Sequence, residues 1–66
     1  MKTVLYTTHC PQCHVLEQKI KQKNISYEVV TDIDIMKEKG FLSAPMLEVD
    51  GIIMNFKDAY QYINTL

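Results

Sequence analysis

A short apolar run that gives way to a helical pattern through Cys10-Pro11-Gln12-Cys13 most limits what this chain can fold into. Val4-Leu5-Tyr6, entered through β-branched Thr3, reads as a buried inner strand. Pro11 suits the first helical position, where its missing N–H costs nothing and its fixed φ already matches a helix. The chain therefore turns from strand to helix between Tyr6 and Pro11, with Cys10 at the N-cap and Cys13 one turn in. Residues three apart are neighbours on a helix surface, and first-turn geometry can bring two sulfurs to bonding distance. At the N-cap the Cys10 sulfur faces unpaired N–H groups and the positive end of the helix dipole, which favour negative charge on it. Cys10 is the expected nucleophile, and the more enclosed Cys13 is expected to act second.

The rest of the chain supplies what that junction needs. From Pro11 to Lys23, Cys13, Leu16 and Ile20 form one stripe with Val15 beside it, while Glu17 and Lys21 make a favourable i,i+4 pair. This predicts an amphipathic helix ending at Asn24. Residues 25–30 alternate, with Ile25, Tyr27 and Val29 on one face of an expected strand. Strand, helix and strand in that order imply a crossover and a parallel pair. Asp32 and Asp34 can cap a short helix running to about Lys39, with Ile35 and Met36 inward and Gly40 as its stop. Pro45 opens a third strand, Met46 to Val49, and Asp50-Gly51 is a hairpin signal before Ile52-Ile53-Met54. A last helix from about Lys57 carries Ala59, Tyr62, Ile63 and Leu66 at helical spacing, with Asn55 or Asp58 as cap.

Sixty-six residues make one domain, 1–66, close to the size at which a hydrophobic core becomes marginal. A composition 47% hydrophobic and 23% charged is that of a globular domain rather than a disordered or fibrous chain, and a net charge of -1 offers no footprint for nucleic acid or a lipid surface. Two cysteines so close together remove little unfolded-state entropy when joined, so their purpose is chemical rather than structural. The residues after Lys2 form no signal-like apolar stretch, and no run is long enough to span a membrane, so a cytoplasmic location is expected, where C-x-x-C reads as catalytic or metal-binding.

Tyr6, Cys10-Pro11-Gln12-Cys13, Gly40-Phe41, Ser43-Ala44-Pro45 and Asp50-Gly51 fall in the order and spacing of glutaredoxins and of the glutaredoxin-like redoxins that serve ribonucleotide reductase. The chain resembles these members of the thioredoxin superfamily over nearly its whole length. The resemblance implies an α/β, thioredoxin-like fold of βαβ-α-ββα order, a four-stranded mixed sheet flanked by three helices, and a cis peptide bond before Pro45 beside the dithiol. It also implies a monomeric dithiol-disulfide oxidoreductase without a tightly bound cofactor. In such a protein Cys10 attacks a substrate disulfide, Cys13 resolves the mixed disulfide, and a Cys10–Cys13 bridge is the product.

The resemblance implies substrate contacts at Pro11 and at Gln12, which as a polar residue is expected to be exposed, at Ala44 and Pro45, where backbone groups can pair with an extended segment, and at Phe56, Lys57 and Asp58. Tyr6 and His9 are candidate modulators of the thiolate, the histidine because a positive charge just before Cys10 would favour it. Glutathione-using glutaredoxins carry a glycine pair before the last helix and a lysine shortly before the first cysteine. Here Asn55-Phe56-Lys57-Asp58 and Thr7-Thr8-His9 stand instead, which leaves glutathione and thioredoxin reductase both open as electron donor and a protein such as ribonucleotide reductase as substrate. Two metal readings compete. Cys13-His14 completes a C-x-x-C-H haem string, which lacks the expected all-helical context, and His9 and His14 could join the cysteines around zinc or an iron–sulfur cluster.

Overall fold

The computed structural model describes residues 2–66. In chain order the elements are β1 (Thr3–Tyr6), α1 (Pro11–Gln22), β2 (Glu28–Val30), α2 (Ile33–Glu38), β3 (Met46–Val49), β4 (Ile52–Met54) and α3 (Phe56–Asn64). The four strands form one mixed sheet in the order β2-β1-β3-β4. β1 runs parallel to β2, with Leu5 opposite Val29, and antiparallel to β3, with Leu5 opposite Leu47. Placing β1 between two neighbours explains why Val4-Leu5-Tyr6 is apolar without alternation, since every residue from Thr3 to Tyr6 is buried.

The two faces of the sheet are covered unequally. Leu5, Leu47 and Val49 pack with Leu16 and Ile20 of α1 and with Ala59 and Ile63 of α3, which makes the main core. On the opposite face Val4, Tyr6 and Met36 form a smaller cluster, edged by Val30, Phe41 and Met46. The six-residue α2 buries only Met36 and is the lightest-held wall of the molecule.

Local chemistry sets the element ends. Asn24, at φ 56°, closes α1 in a Schellman arrangement in which Ile25 N–H bonds Ile20 C=O and Asn24 N–H bonds Lys21 C=O. Gly40, at φ 79°, does the same for α2, through Phe41 N–H to Met36 C=O and Gly40 N–H to Lys37 C=O. Asp32 and Asn55 cap α2 and α3 with their side-chain oxygens. Asp50 and Gly51 both lie at positive φ, the tight hairpin geometry that the dipeptide predicts.

Several expected inward residues face out. β2 begins at Glu28 rather than Ile25, and Val29 is 46% exposed because β2 is an edge strand on which no helix closes at that point. Ile35 is 38% exposed, since so short a helix presents one residue to the sheet and Met36 takes that place. Val15 is exposed beside the buried stripe, and Leu66 lies beyond the α3 cap at Thr65. Glu17 turns away from Lys21 to accept a hydrogen bond from Tyr27 Oη at 3.0 Å, tying α1 to the approach of β2.

Candidate active site

The site is built where β1 ends. Thr7 continues the strand for one more bond, its N–H donating to Val30 C=O at 3.0 Å, and its buried hydroxyl accepts from His9 N–H at 3.0 Å. That inward hydrogen bond holds the loop while His9 takes φ 62°, a left-handed conformation uncommon outside glycine. The reversal delivers Cys10 in extended conformation to the N-cap of α1, with Pro11 as its first residue.

The two thiols are free, and their sulfurs lie 2.8 Å apart. Cys13 N–H donates to Cys10 Sγ at 3.3 Å, so the Cys10 sulfur receives a first-turn donor of the helix. Cys10 is partly exposed whereas Cys13 is 1% exposed, packed behind it with Thr8 Oγ1 4.0 Å from its sulfur. Burial pushes the Cys13 thiol up, but hydrogen bonds with the Cys10 and Thr7 side chains and with the backbone at Thr8 and Cys10 outweigh it, and the thiol is lowered to about 7. The Cys10 thiol donates to the Cys13 sulfur at hydrogen-bonding distance, which favours the Cys13 thiolate. Only the Cys10 end of that pair meets solvent.

Opposite Cys10, the peptide bond between Ala44 and Pro45 is cis, as the resemblance implies. Pro45 is fully buried, and Ala44 C=O stands 3.9 Å from Cys10 Sγ. Thr8, Cys10 and Ala44 share a groove of about 290 Å³ with Ile33, Met36 and Lys37 of α2 and with Phe41, Leu42 and Ser43 of the following loop. Leu42 is fully solvent-exposed at 101%, and Ile33 is largely so. Neither residue is needed by the core.

The other expected site residues divide between the mouth of the dithiol and places away from it. Pro11 and Gln12 are exposed at the mouth of the dithiol. Phe56 and Lys57 line a separate hollow with Val15, Tyr60 and Gln61, between α1 and α3, and Asp58 uses its N–H to bond the Asn55 cap. Tyr6 is a core residue whose hydroxyl is given to Glu48 Oε1 at 3.0 Å. His9 lies with its ring centroid 6.2 Å from that of His14. Among the described residues no three His, Cys, Asp or Glu side chains converge as a metal site. Ile33, Lys37 and Leu42 were not expected at the groove, because their placement depends on how α2 and its loop pack. The apolar pair Phe41-Leu42 inside a Gly- and Ser-bounded loop was the local sign.

A four-stranded mixed sheet with this order, and a cis-proline turn facing a dithiol at a helix start, define a thioredoxin-like fold. A solved structure described as Leishmania TDR1, a unique trimeric glutathione transferase, has a similar fold, with a TM-score of 0.76 and 24% sequence identity over 98% of this chain. The chain spans 17% of that chain's length. No family model matches the sequence, and no curated protein matches it. No helix among the described residues is long and apolar enough to cross a membrane.

Proposed function

We propose that the protein is a glutaredoxin-like dithiol-disulfide oxidoreductase that reduces disulfides of protein substrates through Cys10 and Cys13. The observation that carries this reading is the asymmetric dithiol: an accessible Cys10 sulfur at a helix N-cap, 2.8 Å from a buried Cys13 sulfur whose proton leaves near neutral pH. The Cys10 thiolate attacks one sulfur of the substrate disulfide, a Cys10–substrate bond forms, and the other substrate sulfur leaves as a thiolate that takes up a proton. Cys13, deprotonated, then attacks Cys10 Sγ, the mixed disulfide breaks and the second substrate thiol is released. Two electrons have passed to the substrate, and the protein holds a Cys10–Cys13 disulfide. Closing it needs the sulfurs to move from 2.8 Å to the usual distance of about 2.05 Å, a shift small enough for side-chain rotation.

An external thiol must return the two electrons. Glutathione or thioredoxin reductase supplies them, and the structural neighbour's description as a glutathione transferase makes glutathione the first to test. The groove beside Cys10, lined largely by the apolar residues Ile33, Met36, Phe41, Leu42 and Ala44, suits an extended peptide segment presenting a cystine. Ribonucleotide reductase is one substrate of that kind.

Single-cysteine variants test the reading. Cys13→Ser is expected to accumulate a covalent mixed disulfide with a cystine-bearing protein, visible as a dithiothreitol-sensitive adduct by mass spectrometry, while Cys10→Ser forms none and reduces nothing. Equal activity or equal adduct in the two variants would overturn the assignment. Recovery of the oxidised protein with glutathione and, separately, with thioredoxin reductase and NADPH identifies the donor.

A further inference from the structure

The groove has one wall firmly built into the sheet and another that is not. The Ala44-Pro45 side leads directly into β3, whereas the α2 side rests on a helix with a single buried residue, Met36. What holds that second wall is a cluster on the sheet face away from α1. Glu48 of β3 accepts the Tyr6 hydroxyl on Oε1 at 3.0 Å, and the Lys39 ammonium at the C-cap of α2 lies 3.6 Å from the same oxygen. Lys39 Nζ also stands 5.6 Å from the centre of the Tyr6 ring. On the other side of Gly40, Phe41 meets the same ring edge-on, with centroids 5.0 Å apart and planes at 71°. Gly40, at φ 79°, turns the chain so that residues on both sides of it engage one tyrosine.

We infer that Glu48 and Lys39 are positioning residues for disulfide reduction, a clasp on Tyr6 that fixes the α2 end and Phe41 and so sets the shape of the groove in which substrate lies beside Cys10. The role goes beyond the dithiol chemistry and rests on the reading of Cys10 as the reacting sulfur. The physical case is one of supply. Met36 is the one buried residue of α2, and the neighbouring groove residues Ile33, Lys37 and Leu42 are all largely exposed, so the core does little to set where they stand. The charge arrangement supports the geometry. Burial first, and then the Glu48 carboxylate, raise the Tyr6 phenol above its ordinary value, so the hydroxyl stays a donor; Tyr6 and Glu48 raise Lys39, so the ammonium stays charged. Both halves of the clasp persist across the pH range in which the dithiol works. Glu48 faces Tyr6 and Lys39 here, and the other side chains of the cluster, Val4, Met36, Val30, Phe41 and Met46, do not titrate.

The test uses the full chain with Glu48→Leu and Lys39→Gln, and Glu48→Gln as the conservative variant, which keeps an acceptor for the Tyr6 hydroxyl. Glu48→Leu and Lys39→Gln are expected to raise KM for a cystine-bearing peptide about fivefold while kcat stays within twofold, and to leave reduction of the small hydroxyethyl disulfide, which does not fill the groove, unchanged. Glu48→Gln is expected to fall between them and wild type. Hydrogen exchange supplies a reading independent of activity. The Gly40 and Phe41 amides, which cap α2, should exchange at least tenfold faster in Glu48→Leu, with the Leu5 and Leu47 amides of the central strands unchanged. Unchanged exchange at Gly40 and Phe41 overturns the clasp, as does a parallel loss of activity on both disulfides. If wild type reduces neither disulfide, the oxidoreductase reading fails, and the exchange data still decide whether the clasp holds the wall.

Discussion

The backbone N–H of Cys13 points at the sulfur of Cys10, 3.3 Å away, and in the same turn the two sulfurs approach to 2.8 Å. One helix start therefore does two things at once. It gives the accessible Cys10 sulfur a donor and brings the Cys13 sulfur so close that a bond between the two needs only side-chain motion within one turn.

The pH dependence of the dithiol should follow Cys13. The Cys13 thiol sits at about 7 against an ordinary 9.0, because its hydrogen bonds outweigh burial. Thiolate absorbance of the reduced protein in the ultraviolet is expected to show a transition with a midpoint near 7 from Cys13. In Cys13→Ser that transition should be lost.

The same shift has a consequence for stability. Between about 7 and 9.0 the folded reduced protein has given up a proton that the unfolded chain still binds, so stability rises with pH across that window and the gain is lost as pH falls through 7. Urea unfolding of the reduced protein should show a gain on the order of 1–2 kcal/mol from pH 6 to pH 9. Cys13→Ser should flatten the profile.

Leu42 is fully exposed and lines the Cys10 groove, so the proposed function gives it a part in binding rather than in folding. Leu42→Ser is expected to change stability by less than about 0.5 kcal/mol. It should raise KM for a cystine-bearing protein severalfold while the reaction with hydroxyethyl disulfide is unchanged. Steady-state kinetics with both substrates, alongside a urea midpoint, checks each half.

The unequal covering of the sheet predicts unequal sensitivity. Leu16→Ala removes a fully buried side chain from the main core and should cost about 2–5 kcal/mol, whereas Ile35→Ala, at a side chain 38% exposed and outside both core clusters, should cost only about 1 kcal/mol. Thermal unfolding of the two variants measures the difference. A large loss in Ile35→Ala would mean that α2 is packed differently.

Asn55 caps α3 by accepting from Asp58 N–H at 2.9 Å. Asn55→Ala should destabilise the protein by about 1 kcal/mol, and Asn55→Asp should restore most of that. Circular dichroism during urea unfolding reads both, and an unchanged midpoint in Asn55→Ala would show that the cap bears no load.

The sequence alone determined the features that depend on local stereochemistry. Pro11 fixes a helix start, Asn24 and Gly40 suit the left-handed residues that end helices, Asp50-Gly51 takes the positive φ pair of a tight hairpin, and an apolar run without alternation needs neighbours on both sides. Each follows from residues a few positions apart, and so did the placement of Cys10 at a helix N-cap with Cys13 behind it. Tertiary structure alone decided what depends on distant partners. Ile35 and Leu66 fit an apolar stripe yet face outward, because burial requires an opposing surface and α2 and the end of α3 offer none there. Phe56 and Lys57 follow the Asn55 cap into a hollow with Tyr60 rather than into the groove of Cys10. Tyr6 and Glu48 are 42 positions apart, and only the antiparallel register of β1 on β3 brings the hydroxyl to the carboxylate. The wall of the groove hangs on that pairing, which no local pattern encodes.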